Sequence, residues 1–153
     1  MERAARQLLL FSFTCFVGVI AFAMVLGPAH KAVHSRDVAR SIDLFHQHFD
    51  QLCWLGAAAL GTALRHLAPR YAGPAWAPAR LARAYALGSV TFAAAFVPRA
   101  IGQLTGAALL ARVGFAALAS IGGASLVAAA VSATAIIRAL ARGAPSASLP
   151  GSS

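Results

Sequence analysis

Four of the five histidines lie close together in an otherwise very apolar chain of 153 residues: His30, His34, His46 and His48. His30 and His34 are four positions apart, so on a helix they would share one face, which suits two ligands of one metal ion. His46 and His48 are two positions apart, so a helix turns them roughly 200° away from each other. Since neutral imidazole binds iron, copper and zinc, we predict that these histidines hold a transition metal (Fe, Cu or Zn) or haem b.

Asp50 follows the second histidine pair and has two possible partners. It lies one helical turn after His46, so its carboxylate could accept the imidazole N–H and orient a metal-bound ring from the second shell. Arg99 is the alternative, because an ion pair would offset the cost of burying both charges. For the histidines, the alternatives to a metal or haem site are an interfacial cluster and a proton relay or substrate site.

The composition predicts that lipid surrounds most of this chain. Hydrophobic residues make up 59% and charged residues 11%, whereas soluble domains carry about 25% charged residues. The net charge is +9, but the arginines flank apolar runs, where anionic headgroups and the positive-inside bias account for them. We therefore expect no nucleic acid partner. Cys15 and Cys53 lie within apolar runs and are expected to be buried thiols.

The apolar runs predict an all-α fold, with a single domain over residues 1–142 and a tail of disordered composition over 143–153. The domain would be an integral membrane four-helix bundle. Its predicted spans are residues 7–27, 44–64, 82–99 and 113–137. The first uncharged run exceeds the length of a signal-peptide core, and the third span is expected to end near Arg99.

The second span determines where the histidines lie. Its purely apolar stretch, 52–64, covers only about 20 Å of a hydrocarbon core of roughly 30 Å. The helix must therefore begin before His48, at about Asp43, which places His46, His48 and Asp50 at membrane depth.

Lys and Arg are more numerous beside the two termini and the second loop than beside the first and third loops. The positive-inside rule then predicts that both termini are cytoplasmic. In a bacterial inner membrane, the histidine site would face the outer leaflet.

This layout resembles the small four-helix membrane haem proteins of the styrene-oxide isomerase type. The resemblance rests on His46 or His48 at the entrance of helix two, and on the segment ARAYALGSV, residues 82–90, at the start of helix three. It implies a histidine-ligated haem b whose iron acts as a Lewis acid on an epoxide. The chain departs from the family on helix three, where an aromatic hydroxyl ligand is missing. Arg99 and Gln103 are expected to contact the cofactor there instead.

Three functions follow as hypotheses. The first is a membrane protein that binds haem b or a metal for redox chemistry or isomerisation of a small lipophilic substrate. The second is a non-catalytic subunit or assembly factor, which would pack on a larger membrane complex through its Ala- and Gly-rich helices. The third is a small transporter, which would need to form a homo-oligomer. No phosphate-binding loop or zinc-protease motif is present in the sequence, so soluble-type hydrolysis is not expected.

Overall fold

The computed structural model describes residues 1–31 and 36–143, with side chains for 1–24 and 36–142. Over these ranges the chain is helical and contains no strand. The helices are α1 (Glu2–Lys31), α2 (Arg36–His48), a π-helical segment (Phe49–Gly56), α3 (Ala57–Leu67), a short 3-10 turn (Ala68–Arg70), α4 (Trp76–Ala94), α5 (Phe96–Thr105), a second π-helical segment (Leu110–Gly114) and α6 (Phe115–Gly143).

Within the described ranges, three helical stretches are long and apolar enough to cross a membrane. They are Glu2–Met24, Trp76–Thr105 and Leu110–Arg142. Their outward faces carry large apolar side chains, of which Met24 is 75% exposed. Such faces would be costly in water, because each buried methylene contributes about 0.8 kcal/mol.

A further helical run extends without interruption from Arg36 to Leu67 and comprises α2, the first π-helical segment and α3. The backbone stays helical at both junctions, with φ −71° and ψ −36° at His48 and φ −65° and ψ −39° at Gly56. The prediction that helix two begins before His48 is therefore confirmed. This run is not among the three apolar stretches, because charged and polar residues such as Asp37 fill α2.

The third predicted helix does not end near Arg99, and Ala95, between α4 and α5, keeps right-handed helical dihedrals of φ −58° and ψ −27°. The helix continues as α5 to Thr105, past Pro98, whose missing N–H a helix tolerates when other groups satisfy the backbone. It ends at Gly106, which has φ +73°, the left-handed conformation that commonly closes a helix. Arg99 therefore lies inside a helix rather than at its end.

Close helix contacts occur where a glycine removes a side chain. A Cβ on Gly122 of α6 would lie 2.5 Å from the backbone nitrogen of Phe92 in α4. A Cβ on Gly61 of α3 would lie 2.9 Å from Cγ of Leu9 in α1. Gly123, next to Gly122, faces open space. These approaches place α4 against α6 and α3 against α1, with the buried core between them.

Candidate functional site around the first π-helical segment

The segment Phe49–Gly56 follows His48 directly and lies in the middle of the second helical run. A π-helix joins each N–H to the carbonyl five residues earlier, and such segments are rare and frequent at functional sites. The segment is therefore the part of helix two whose backbone is most typical of a functional site.

Hydroxyl groups from two other helices bind carbonyl oxygens of this segment. Tyr85 of α4 donates its hydroxyl to the Leu52 carbonyl at 2.9 Å, and Ser12 of α1 donates to the Trp54 carbonyl at 2.9 Å. Gly56 makes room for the Tyr85 hydroxyl, which would collide with any Cβ at that position. The segment is thus held by side chains from α1 and α4.

His48 lies at the last position of α2 and has a defined tautomer. Its Nδ1 lies 2.7 Å from the Leu44 carbonyl oxygen. A carbonyl can only accept a hydrogen bond, so Nδ1 carries the hydrogen, and Nε2 of the neutral ring has a free lone pair. The ring stacks on Phe96 with centroids 5.0 Å apart, and Phe92 lies 5.5 Å away. His48 therefore faces α4 and α5.

His46 faces a different neighbour. Its ring stacks on Phe22 of α1, with centroids 5.9 Å apart. The two-residue spacing predicts this divergence, and the structure does not bring His46 and His48 to one centre. His34 lies outside the described residues, as does the side chain of His30. Among the side chains that are described, no group of three or more His, Cys, Asp or Glu could hold a metal ion.

Asp50 has neither of the contacts expected from the sequence. Its Oδ1 is buried and has no hydrogen-bond partner among the described residues. No hydrogen bond or ion pair joins this carboxylate to His46 or Arg99. An unpaired buried carboxylate oxygen is costly, because desolvation of a polar group is not recovered without a hydrogen bond. Asp50 Oδ1 is therefore a buried polar atom for which the described residues supply no hydrogen-bond partner.

Arg99 and Gln103 lie on α5 but contact different elements. The guanidinium carbon of Arg99 is 5.8 Å from the centroid of the Phe115 ring in α6, a cation–π distance. The side-chain carbonyl of Gln103 accepts a hydrogen bond of 2.9 Å from Ser41, which is 1% exposed. Gln103 thereby ties α5 to α2, and the described contacts do not bring it to His46 or His48.

Cys15 and Cys53 meet in the interior. Together with Ala93 they form a buried cluster that joins α1, the first π-helical segment and α4, and both thiols are free. The prediction of buried thiols is confirmed. Ser12, Ser41 and Tyr85 were not predicted as part of the site. Hydroxyl side chains within apolar runs need hydrogen-bond partners, but the sequence does not identify those partners.

An apolar cavity of about 230 Å³ lies between α2 and α5. It lies next to Phe22 and Phe96, the rings that stack on His46 and His48; these two histidines and the rings beside them are the histidine region. Phe22, Phe45 and Phe96 are among the residues that line the cavity. A smaller cavity of about 80 Å³ includes His46 and Phe49 in its lining. Both are suited to apolar groups, because their walls are mainly aromatic and aliphatic.

Comparison with protein-family models, curated proteins and solved structures finds no match to this chain.

Proposed function

We propose that this chain is an integral membrane protein that binds haem b through His48. The observation that carries the proposal is the hydrogen bond from His48 Nδ1 to the Leu44 carbonyl at 2.7 Å. Metal-bound histidine almost always donates its other ring N–H to a carbonyl, a carboxylate or water, which fixes the tautomer and raises the basicity of the ligand. His48 has this arrangement, with Nε2 free to bind iron.

Haem b requires fewer protein ligands than a bare transition metal. A metal ion bound by protein alone usually takes three or four side-chain ligands. The porphyrin supplies four nitrogen ligands itself, so one histidine is sufficient. Arg99 would provide a positive charge for a propionate. The cavity of about 230 Å³ between α2 and α5 is below the usual range for ligand pockets, and its lining includes neither His48 nor Arg99, so it would not enclose the haem.

The chemistry that haem would supply is electron transfer, or Lewis-acid isomerisation of a small lipophilic substrate. The residues of this chain would bind and orient the haem and the substrate. The apolar cavity lined by Phe22, Phe45 and Phe96 supports access for such a substrate from the bilayer. It contributes almost no polar group that would favour a water-soluble substrate.

The deciding measurement is the absorption spectrum of protein purified in mild detergent, before and after addition of haem. We expect a Soret band and about one haem per chain by pyridine haemochrome assay. Elemental analysis on the same sample measures bound iron, copper and zinc. A protein that stays colourless after haem addition would refute haem binding, whatever metal it contains.

A non-catalytic subunit or assembly factor is the second candidate, and the outward face of α6 supports it. Val127, Val131 and Ile137 are 65%, 56% and 64% exposed on this helix. Lipid or a partner helix could cover that face. A colourless protein that copurifies with a larger membrane complex is the result expected for this candidate.

We also propose four membrane crossings with cytoplasmic termini, in which Arg36–Leu67 supplies the crossing that falls outside the three apolar stretches. Ala72 and Ala107 are exposed and lie at opposite ends of the stretch Trp76–Thr105. In intact cells, an impermeant maleimide is expected to label Ala107→Cys but not Ala72→Cys. Cys15 and Cys53 are buried, so the unaltered protein should not be labelled, and it serves as the control.

The reverse labelling pattern would show that the termini face outward. Equal labelling of both cysteines would show that the stretch between them does not cross the membrane.

A further inference from the structure

A groove runs along one face of α4 and is closed on its other side by α6. Its volume is about 560 Å³. The α4 side chains that line it are Trp76, Arg80, Arg83, Ala84 and Leu87, and α6 adds Ser125 and Ala128. Steps of three and four residues place the α4 side chains on one face of the helix. The groove therefore has guanidinium groups towards the start of α4 and an apolar wall further along the helix.

No acidic side chain lines this groove. Arg83 also lines an adjoining cavity of about 460 Å³, which includes Arg3 and Gln7 and likewise contains no Asp or Glu. The two guanidinium groups of the groove thus have no acidic side chain among the residues that line either cavity. An anion would find donors there without an acidic competitor.

The groove fits a phosphate joined to an acyl chain better than a phosphate alone. Guanidinium groups bind phosphate oxygens with paired charge-assisted hydrogen bonds. Trp76 is 53% exposed, and tryptophan is enriched at headgroup level. Leu87 is 56% exposed, and together with Ala84 and Ala128 it offers apolar surface that a free phosphate would leave uncovered.

We propose that this groove is a binding site for an anionic phospholipid, with the phosphate held by Arg80 and Arg83 and an acyl chain along Leu87. Basic pockets between membrane helices are known to bind anionic headgroups. The site is distinct from the histidine region and does not depend on haem binding.

The test measures lipid binding to the full chain in neutral detergent by native mass spectrometry and by thermal unfolding. Phosphatidylglycerol is expected to bind and to raise the unfolding temperature, whereas phosphatidylcholine and inorganic phosphate are not. In Arg80→Gln/Arg83→Gln, binding of phosphatidylglycerol should weaken about tenfold or more, because charge-assisted hydrogen bonds are lost. Both arginines are exposed, so the variant should fold, which circular dichroism checks.

The matched control is Arg138→Gln/Arg142→Gln, which removes the same charge from exposed positions on α6 outside the groove. It should keep binding close to that of the unaltered protein. Equal loss in both double variants would reject a specific site in favour of general charge attraction. Full competition by inorganic phosphate would reject the lipid as the occupant, and unchanged binding in Arg80→Gln/Arg83→Gln would reject the groove itself.

Discussion

Replacement of Gly122 by leucine is expected to lower the unfolding temperature by about 3–10 °C in detergent, measured by circular dichroism. A Cβ at this position would lie 2.5 Å from the backbone nitrogen and 2.8 Å from Cα of Phe92. These are backbone atoms, so the neighbour cannot relieve the overlap by changing rotamer, and α4 and α6 must separate. Overpacking of this kind costs about 1–3 kcal/mol or more, which corresponds to several degrees for a domain of this size.

Gly123→Leu is the matched control, because it places the same side chain one position along the same helix, where an added Cβ would meet nothing within 4 Å. It should unfold close to the unaltered protein. Phe92 also lies beside the His48 ring, with centroids 5.5 Å apart. A shift of Phe92 in Gly122→Leu should therefore reach the histidine region. Equal stability of the two leucine variants would contradict the packing of α4 against α6.

The substitution His48→Ala is expected to abolish haem binding, whereas His46→Ala should retain most of it. The reason is the difference between the two rings. His48 has its Nδ1 hydrogen bonded to the Leu44 carbonyl and faces Phe96, whereas His46 stacks on Phe22 of α1. The measurement is the Soret absorbance during titration of the purified protein with haem, with the folded fraction checked by circular dichroism.

A rescue experiment separates ligation from a structural role. In His48→Gly, added imidazole should restore the Soret band, because the free imidazole can take the position of the missing ligand. A purely structural histidine would not respond in this way. Loss of haem in His46→Ala with retention in His48→Ala would assign the ligand to the other ring. Retention of haem in the double variant His46→Ala/His48→Ala would place the haem site elsewhere in the chain.

Several features of this protein could be predicted from the sequence because they depend on local length and periodicity. Three uncharged or nearly uncharged runs predict the stretches that the structure forms as long apolar helices. The shortness of the apolar stretch 52–64 predicts that helix two starts before His48, at about Asp43, and the described helix already includes Arg36. The two-residue spacing of His46 and His48 predicts that their rings diverge. Each of these follows from the rise and turn of an α-helix.

Other features depend on which distant residues meet. The first π-helical segment has carbonyls bound by Tyr85 and Ser12, which come from other helices. Arg99 stands on the same helix as Gln103, yet one contacts Phe115 of α6 and the other contacts Ser41 of α2. The sequence identifies such groups as polar residues near apolar runs, but local periodicity does not pair them. Tertiary packing alone decides their partners, because hydrogen bonds and ring contacts require groups that lie far apart in the chain to come within a few ångströms.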